Sequence, residues 1–221
     1  MYELIKRCID IIISTTALLL LLPFFLIIAF ILKFTAEGEV FYFQDRVGLN
    51  NKKFKIIKFA TMLKNSLNMG TGSITLTNDF RVTRFGKYLR MTKINELPQL
   101  INIFLGDITL VGPRPILEQD WKLYPDSIQY SIYNIKPGLT GIGSIIFRDE
   151  ESIISSIKDE DPHAYYERII APYKGKLEIW YQNNRGLNVD IQLIFLTAWV
   201  ILFPKSNIYK KWFKNLPKRN F

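Results

Sequence analysis

The chain has 221 residues, 48% of them apolar and 14% aromatic, which allows one domain with a real core and excludes a disordered polypeptide. Lys and Arg number 29 against 20 acids, a net charge of +9, which favours an anionic partner such as nucleic acid, membrane headgroups or a phosphorylated substrate. A single cysteine, Cys8, excludes an internal disulfide, and a single histidine, His163, excludes a multi-histidine metal site; His163 is given no role.

The first element is the uncharged run from Ile11 to Leu32, IIISTTALLLLLPFFLIIAFIL, flanked by Lys6, Arg7 and Lys33. Its length suits a helix in a bilayer. The following KFTAEGEV is a poor signal-peptide cleavage site, and core helices are rarely so uniformly apolar. Pro23 removes a backbone donor in the middle of the run and predicts a bend there. Because both flanks are basic, charge bias gives no direction. A re-entrant helix with both ends cytoplasmic and a tilted single span both fit.

Next, Val40, Phe41 and Phe43 alternate with small or polar residues, Leu-Asn-Asn marks a turn, and FKIIKF resumes an extended pattern, which together predict a hairpin. Its Arg46, Lys52, Lys53, Lys55 and Lys58 form either a solvated basic face or a place for phosphate or lipid headgroups. Asn65 to Thr77, rich in Asn, Gly, Ser and Thr, is expected to be a mobile loop. Arg81, Arg84, Lys87, Arg90 and Lys93 recur every third residue, which predicts one broad basic helical face. Glu96 to Leu105 is expected to be a helix with Leu97, Leu100, Ile101 and Phe104 inward and Pro98 in its first turn. GPRP, Gly112 to Pro115, is a rigid turn carrying one arginine. Lys-Pro-Gly at 136–138 is another turn, and residues 154–184 predict one or two polar helices. Val189 to Ser206 is too short to span a bilayer comfortably; with Lys205, Lys210, Lys211, Lys214, Trp212 and Phe213 it suits a membrane interface or a buried C-terminal core helix.

No Walker or dinucleotide-binding glycine pattern is present, and Cys8 lies at the membrane edge. What remains for chemistry is Glu96, close in sequence to several cations, with Asp107 after it. Carboxylates bind Mg²⁺ alongside substrate phosphates and attack phosphorus to give an acyl-phosphate, while arginines stabilise a transferring phosphoryl group. A basic enzyme acting on a diphosphate at a membrane is therefore coherent.

KRCID before the apolar run, FYFQDRVG, KFATM, DFRVTRFGKYLR, NELPQLINIFLGDITLVGPRP and KPGLTG follow one another in an order that resembles the bacterial sugar transferases, the small monotopic phosphoglycosyl transferases, over nearly the whole chain. The resemblance implies transfer of a sugar-1-phosphate from a UDP-sugar to polyprenyl (undecaprenyl) phosphate, with UMP released and Mg²⁺ required, at the start of surface glycan assembly. The implied fold is α+β and mostly helical. Residues 1–36 form a re-entrant membrane helix bent at Pro23. Residues 37–221 form a cytoplasmic, membrane-associated catalytic domain with a short β-hairpin and interfacial C-terminal helices. The implied place is the inner face of a bacterial cytoplasmic membrane, with membrane lipids as partners, room for a homodimer and no nucleic acid. The implied catalytic and metal positions are Asn95 and Glu96, and the implied substrate-binding residues are Lys58, Arg84, Arg90, Arg114, Lys136 and Glu178.

The chain departs from the family pattern at four places. The Asp-Glu dyad, with Asp as the proposed nucleophile, reads Asn95-Glu96 here. Ala60 replaces an Arg, a Gln is lost within IGSIIF, and Glu178 stands at an Asp position. An amide is a poor nucleophile and a weaker Mg²⁺ ligand than a carboxylate. Three readings follow for Asn95: Glu96 attacks or acts as base; the protein is a silent membrane-anchored scaffold or regulator; or the amide is a branch variation. Basic spacing over residues 81–93 also permits nucleic-acid binding, against which stand the apolar N-terminus and the lack of a DNA-binding motif.

Overall fold

Helix α1, Tyr2–Lys33, opens the computed structural model, which describes residues 1–35, 37–219 and 221. Its 32 residues reach about 48 Å at 1.5 Å per residue. Asp10, Ser14, Phe25, Ile28 and Leu32 are buried, with Leu18 and Leu21 packed beside them. This spacing of three and four makes one stripe along the helix. Leu19, Leu20, Leu22, Leu26, Ile27 and Phe30, off the stripe, are exposed although apolar. Among the described residues α1 alone is long and apolar enough to cross a membrane. Pro23 lies inside it without interrupting it, so the helix is continuous through the residue where a bend was expected.

Both ends of α1 are held by the rest of the chain. Near its start, Lys6 Nζ donates to the Val111 carbonyl (2.8 Å) and pairs with Asp190, and Asp10 accepts the Leu110 N–H (3.0 Å). Arg7 donates to the carbonyls of Ile103 (2.6 Å) and Phe104 (2.8 Å). Near its end, Phe25 meets Phe59 edge to face at 5.4 Å, and Ile28 and Leu32 join Leu89 in a buried cluster.

The predicted hairpin is present: β1 (Phe41–Val47) and β2 (Lys53–Phe59) pair antiparallel, with Tyr42 opposite Lys58. Asn50 and Asn51 turn the chain at φ of 54° and 58°, values Asn tolerates better than most residues. The stretch expected as a mobile loop is instead wound around a cation. Arg81 is 1% exposed. Its guanidinium donates to the carbonyls of Ser66, Met69, Gly72 and Ile74 and pairs with Asp79. Backbone carbonyls, not apolar side chains, organise this segment, so it carries no hydrophobic signature.

Arg81 therefore lies outside the basic helix. Helix α2 is Arg84–Met91, its start capped by Thr83, whose hydroxyl accepts the Gly86 N–H at 3.0 Å. Lys93 follows it in a left-handed conformation, φ 60°, so only Arg84, Lys87 and Arg90 of the expected run share a helix. A short turn, Ile94–Glu96, precedes helix α3, Gln99–Leu105. Leu100 and Ile103 face inward, while Phe104, expected inward, is 46% exposed because the helix begins later than the sequence suggests and Ile103 takes the inward place. Gly106 ends α3 at φ 93°, which glycine alone adopts freely.

Strands β3 (Thr109–Val111) and β4 (Gly138–Thr140) pair in parallel. A Cβ on Gly138 would lie 2.0 Å from the Gly112 nitrogen, so only glycine lets the two turns touch. The remaining helices are α4 (Glu118–Trp121), α5 (Asp126–Gln129), α6 (Ile142–Ile146), α7 (Glu150–Ser156), α8 (Pro162–Tyr165), α9 (Ala171–Asn184), α10 (Leu187–Leu202) and α11 (Tyr209–Trp212). Tyr166–Ile170, a wider helical turn, joins α8 to α9. The main core gathers Ile142, Ile170, Leu177, Tyr181, Leu193 and Leu196. Helix α10 is half core and half uncovered: Leu193 and Leu196 are buried, while Ile191, Phe195 and Leu202 are exposed. The chain is mostly helical with a small hairpin, as its sequence implied.

Arg81→Met keeps the bulk of the side chain but strands Asp79 and four carbonyls. Its expected cost is about 3–5 kcal/mol, with new cleavage sites within residues 65–79 on limited proteolysis. Native resistance in that segment would show that the cation does not organise it.

Candidate functional site

Three distant pieces of chain meet at Glu96. Asn102 docks α3 on β2: its side chain accepts the Ile57 N–H (2.9 Å) and donates to the Lys55 carbonyl (2.8 Å). This sets the turn before α3 beside Lys58, which points from β2. The Gly112–Pro115 turn after β3 brings Arg114. Lys58 Nζ lies 2.9 Å and Arg114 Nη2 2.7 Å from the same Glu96 oxygen, Oε1.

Burial raises the pKa of Glu96, but Arg114, Lys58 and Lys93 outweigh it and hold the carboxyl well below its usual range. Glu96 is therefore ionised throughout the physiological range. Burial pulls Lys58 down to about 8, partly offset by Glu96 and reinforced by Arg114 and Arg46. Lys93 is also lowered, first by burial. Arg46 lies close by, donating to Gln44 and to the Pro115 carbonyl (3.3 Å). Four cations thus act on one carboxylate, an excess that suits a multiply charged anion.

Asn95 is buried, and its Oδ1 has no hydrogen-bond partner. That orphan oxygen, on the residue before Glu96 in the same short turn, suits an Mg²⁺ ligand set of one carboxylate and one amide, completed by phosphate oxygens and water as Mg²⁺ commonly requires. The described residues contain no cluster of three or more His, Cys, Asp or Glu, so an ion here would lean on the substrate for its other ligands.

The other sequence-predicted residues fall elsewhere. Arg90 pairs with Glu151 on α7 at 2.7 Å, next to Lys93. Arg84 is exposed at the start of α2. Lys136 stands beside Arg7 at Gly106, at the opposite end of α3 from Glu96. Pro23 lies within α1. Glu178, expected to bind substrate, is 4% exposed on α9 and lies against Gly143. Sequence reading missed Tyr133, whose hydroxyl donates to the Arg114 carbonyl (2.6 Å) and accepts the Ile116 N–H (3.1 Å); nothing near it in sequence marks it.

Burial raises Glu178 to about 8, against the opposing pull of the Arg114 backbone N–H and the Lys174 and Arg114 charges. The folded chain therefore keeps a proton that the unfolded chain releases near the usual 4.5. The resulting cost is absent below about pH 4.5, grows up to about pH 8 and is complete above it. Glu178→Gln removes it, so the variant's gain in melting temperature should be larger at pH 9 than at pH 5. Equal gains would show that the carboxyl is not held protonated.

Comparison with known proteins places the chain in a family. A family model described as bacterial sugar transferase matches residues 1–204. The exopolysaccharide production protein ExoY of Rhizobium meliloti is 36% identical over 206 residues, covering 87% of this chain and 83% of that protein. The UDP-glucose:undecaprenyl-phosphate glucose-1-phosphate transferase of Klebsiella pneumoniae is 33% identical over 91% of this chain and 41% of its own length. The undecaprenyl-phosphate galactose phosphotransferase of Salmonella typhimurium is 32% identical over 90% and 40%. With a match across this much of its length, the chain belongs to the bacterial sugar transferase family.

Proposed function

We propose that the chain transfers a sugar-1-phosphate from a UDP-sugar to polyprenyl phosphate at the cytoplasmic face of a bacterial membrane, releasing UMP and starting the assembly of a surface glycan. The observation that carries this reading is the partly buried Glu96 carboxylate held by Lys58 and Arg114. A diphosphate entering this ring of cations draws Arg114 and Lys58 onto its own oxygens and frees Glu96 beside the β-phosphorus. There Glu96 has two possible tasks. As nucleophile, its oxygen bonds the β-phosphorus, the bond to the bridging oxygen breaks with UMP leaving, and the lipid phosphate then displaces the carboxylate. As base, it takes the proton of a lipid phosphate that attacks directly. Mg²⁺, held by Glu96 and the Asn95 amide oxygen, would neutralise phosphate charge. The silent-scaffold reading is not favoured, because several relatives are named for this reaction.

The membrane part of the proposal is a re-entrant α1 with both ends cytoplasmic. It is supported by α1's contacts, since one domain holds Lys6 and Arg7 near the start and Phe25 and Leu32 near the end. A straight span would carry one end about 30 Å away, across the hydrocarbon core. The uncovered apolar residues of α1, with those of α10, would face lipid.

The test is UMP release by purified, detergent-solubilised protein given undecaprenyl phosphate, Mg²⁺ and a panel of UDP-sugars. Native protein is expected to turn over at least one donor. Glu96→Gln is expected to lose at least about a hundredfold in rate, and native turnover in that variant would remove Glu96 from the chemistry. Intact-mass detection of a phospho-sugar adduct with donor alone separates the nucleophile from the base. For topology, cysteines placed near Met1 and Glu37 are expected to label from the same face of the membrane; labelling from opposite faces would establish a span.

A further inference from the structure

Two basic side chains outside the Glu96 cluster converge on one point. Arg7, near the start of α1, and Lys136, shortly before β4, meet at Gly106, the residue that ends α3. A Cβ on Gly106 would lie 3.2 Å from Arg7 Nη2 and 3.5 Å from Lys136 Nζ. Like charges gathered in this way repel unless something negative lies beside them. Part of the compensation is local. Arg7 donates to the carbonyls of Ile103 (2.6 Å) and Phe104 (2.8 Å), at the negative end of α3. Those bonds leave part of the guanidinium fork unused.

The acids close in sequence to the two cations are engaged elsewhere. Glu3, one turn before Arg7, pairs with Arg185 at 2.5 Å. Asp10, on the next turn of α1, accepts the Leu110 N–H at 3.0 Å. Asp107, beside Gly106, accepts from the Asn102 amide at 3.0 Å. Among the described residues, neither Arg7 nor Lys136 forms an ion pair. The pair of cations is therefore left for an anion from outside the chain.

The surroundings decide what kind of anion fits. On α1, Leu4 and Ile11 share the Arg7 face by helical spacing and are 71% and 37% exposed. On α3, Phe104 and Leu105 directly precede Gly106 and are 46% and 64% exposed. Uncovered apolar side chains thus border the cations from both elements. That is a poor surface for water. It suits a lipid whose phosphate meets the cations and whose chains cover the apolar residues. We propose that Arg7 and Lys136 form a binding site for the headgroup phosphate of an anionic phospholipid. The site lies at the opposite end of α3 from Glu96, and the seven residues of that helix span about 10 Å. A phosphate held here is not the one that reacts at Glu96, so the occupant is a lipid of the surrounding bilayer and not the acceptor. The inference rests on the membrane placement proposed above and not on the reaction.

The experiment is native mass spectrometry of full-length, detergent-solubilised protein titrated with phosphatidylglycerol or with phosphatidylcholine. It compares native protein with Lys136→Gln, Lys136→Glu and Arg7→Gln, and melting temperatures are measured with and without each lipid. Native protein is expected to bind phosphatidylglycerol at least about fivefold more tightly than phosphatidylcholine. Lys136→Gln is expected to bind phosphatidylglycerol about fivefold more weakly than native protein does, the effect of one basic residue beside a lipid phosphate. Lys136→Glu is expected to lose the preference between the two lipids. Phosphatidylglycerol should also raise the melting temperature of native protein more than that of Lys136→Gln, a difference that a merely structural lysine would not produce. Arg7→Gln removes the donors to the α3 carbonyls as well, so if it does not fold, the Lys136 variants decide. Equal affinity of native protein for the two lipids would overturn the inference, and so would native phosphatidylglycerol affinity in Lys136→Glu. Displacement of the lipid by inorganic phosphate would make this a site for a free anion, and one-for-one displacement by undecaprenyl phosphate would assign it to the acceptor; either result overturns the inference. A preference for phosphatidylglycerol in protein that releases no UMP from any donor would overturn the proposed function and leave the lipid site standing.

Discussion

A single carboxylate oxygen ties the active region together. Lys58 from the hairpin and Arg114 from a turn more than fifty residues later both reach Glu96 Oε1, so one ion cluster joins β2, the entry to α3 and the end of β3. The cluster is partly buried, with Lys58 and Glu96 more enclosed than Arg114, and removing Glu96 would leave the two cations unpaired. This gives the site two properties at once. Its cations already point at one spot, and its carboxylate is neutralised by them.

The scaffold around the cluster is built from polar contacts as much as from apolar packing. Asn102 fastens α3 to β2, Arg81 gathers the carbonyls of a polar loop, and Tyr133 clamps the Arg114 turn. Each is a buried polar group satisfied by backbone, an arrangement that fixes geometry because its alternatives leave bare donors or acceptors. Asn95 is not satisfied in this way: its buried amide oxygen has no partner, at the position where the family pattern has an acid.

Helix α1 is held to this scaffold at both ends. A junction of Lys6, Asp190, Tyr181 and the Val111 carbonyl locks its start to β3 and α10, and an aromatic and aliphatic cluster locks its end to β2 and α2. The last residue of β3, Val111, precedes Gly112, so the contacts that hold the start of α1 lie one residue before the turn that carries Arg114.

The sequence alone determined the elements whose information is local. The apolar run of α1, the alternating hairpin with its Asn turn, the GPRP turn and the family motifs with Asn95 and Glu96 all lie in contiguous residues, where periodicity and turn chemistry are written directly. It also placed one carboxylate, Glu96, close in sequence to several cations. Only the tertiary structure decided which cations: Lys58 and Arg114 reach Glu96, whereas Lys136 stands at the far end of α3 and Arg84 is exposed. Arg81 left the basic helix to organise a loop that looked mobile, since a buried guanidinium bonded to carbonyls has no sequence period. Glu178 is buried on α9 against Gly143. Such assignments depend on which side chains cross from one element to another, and on how much water each crossing excludes; neither quantity is contained in the order of residues along the chain.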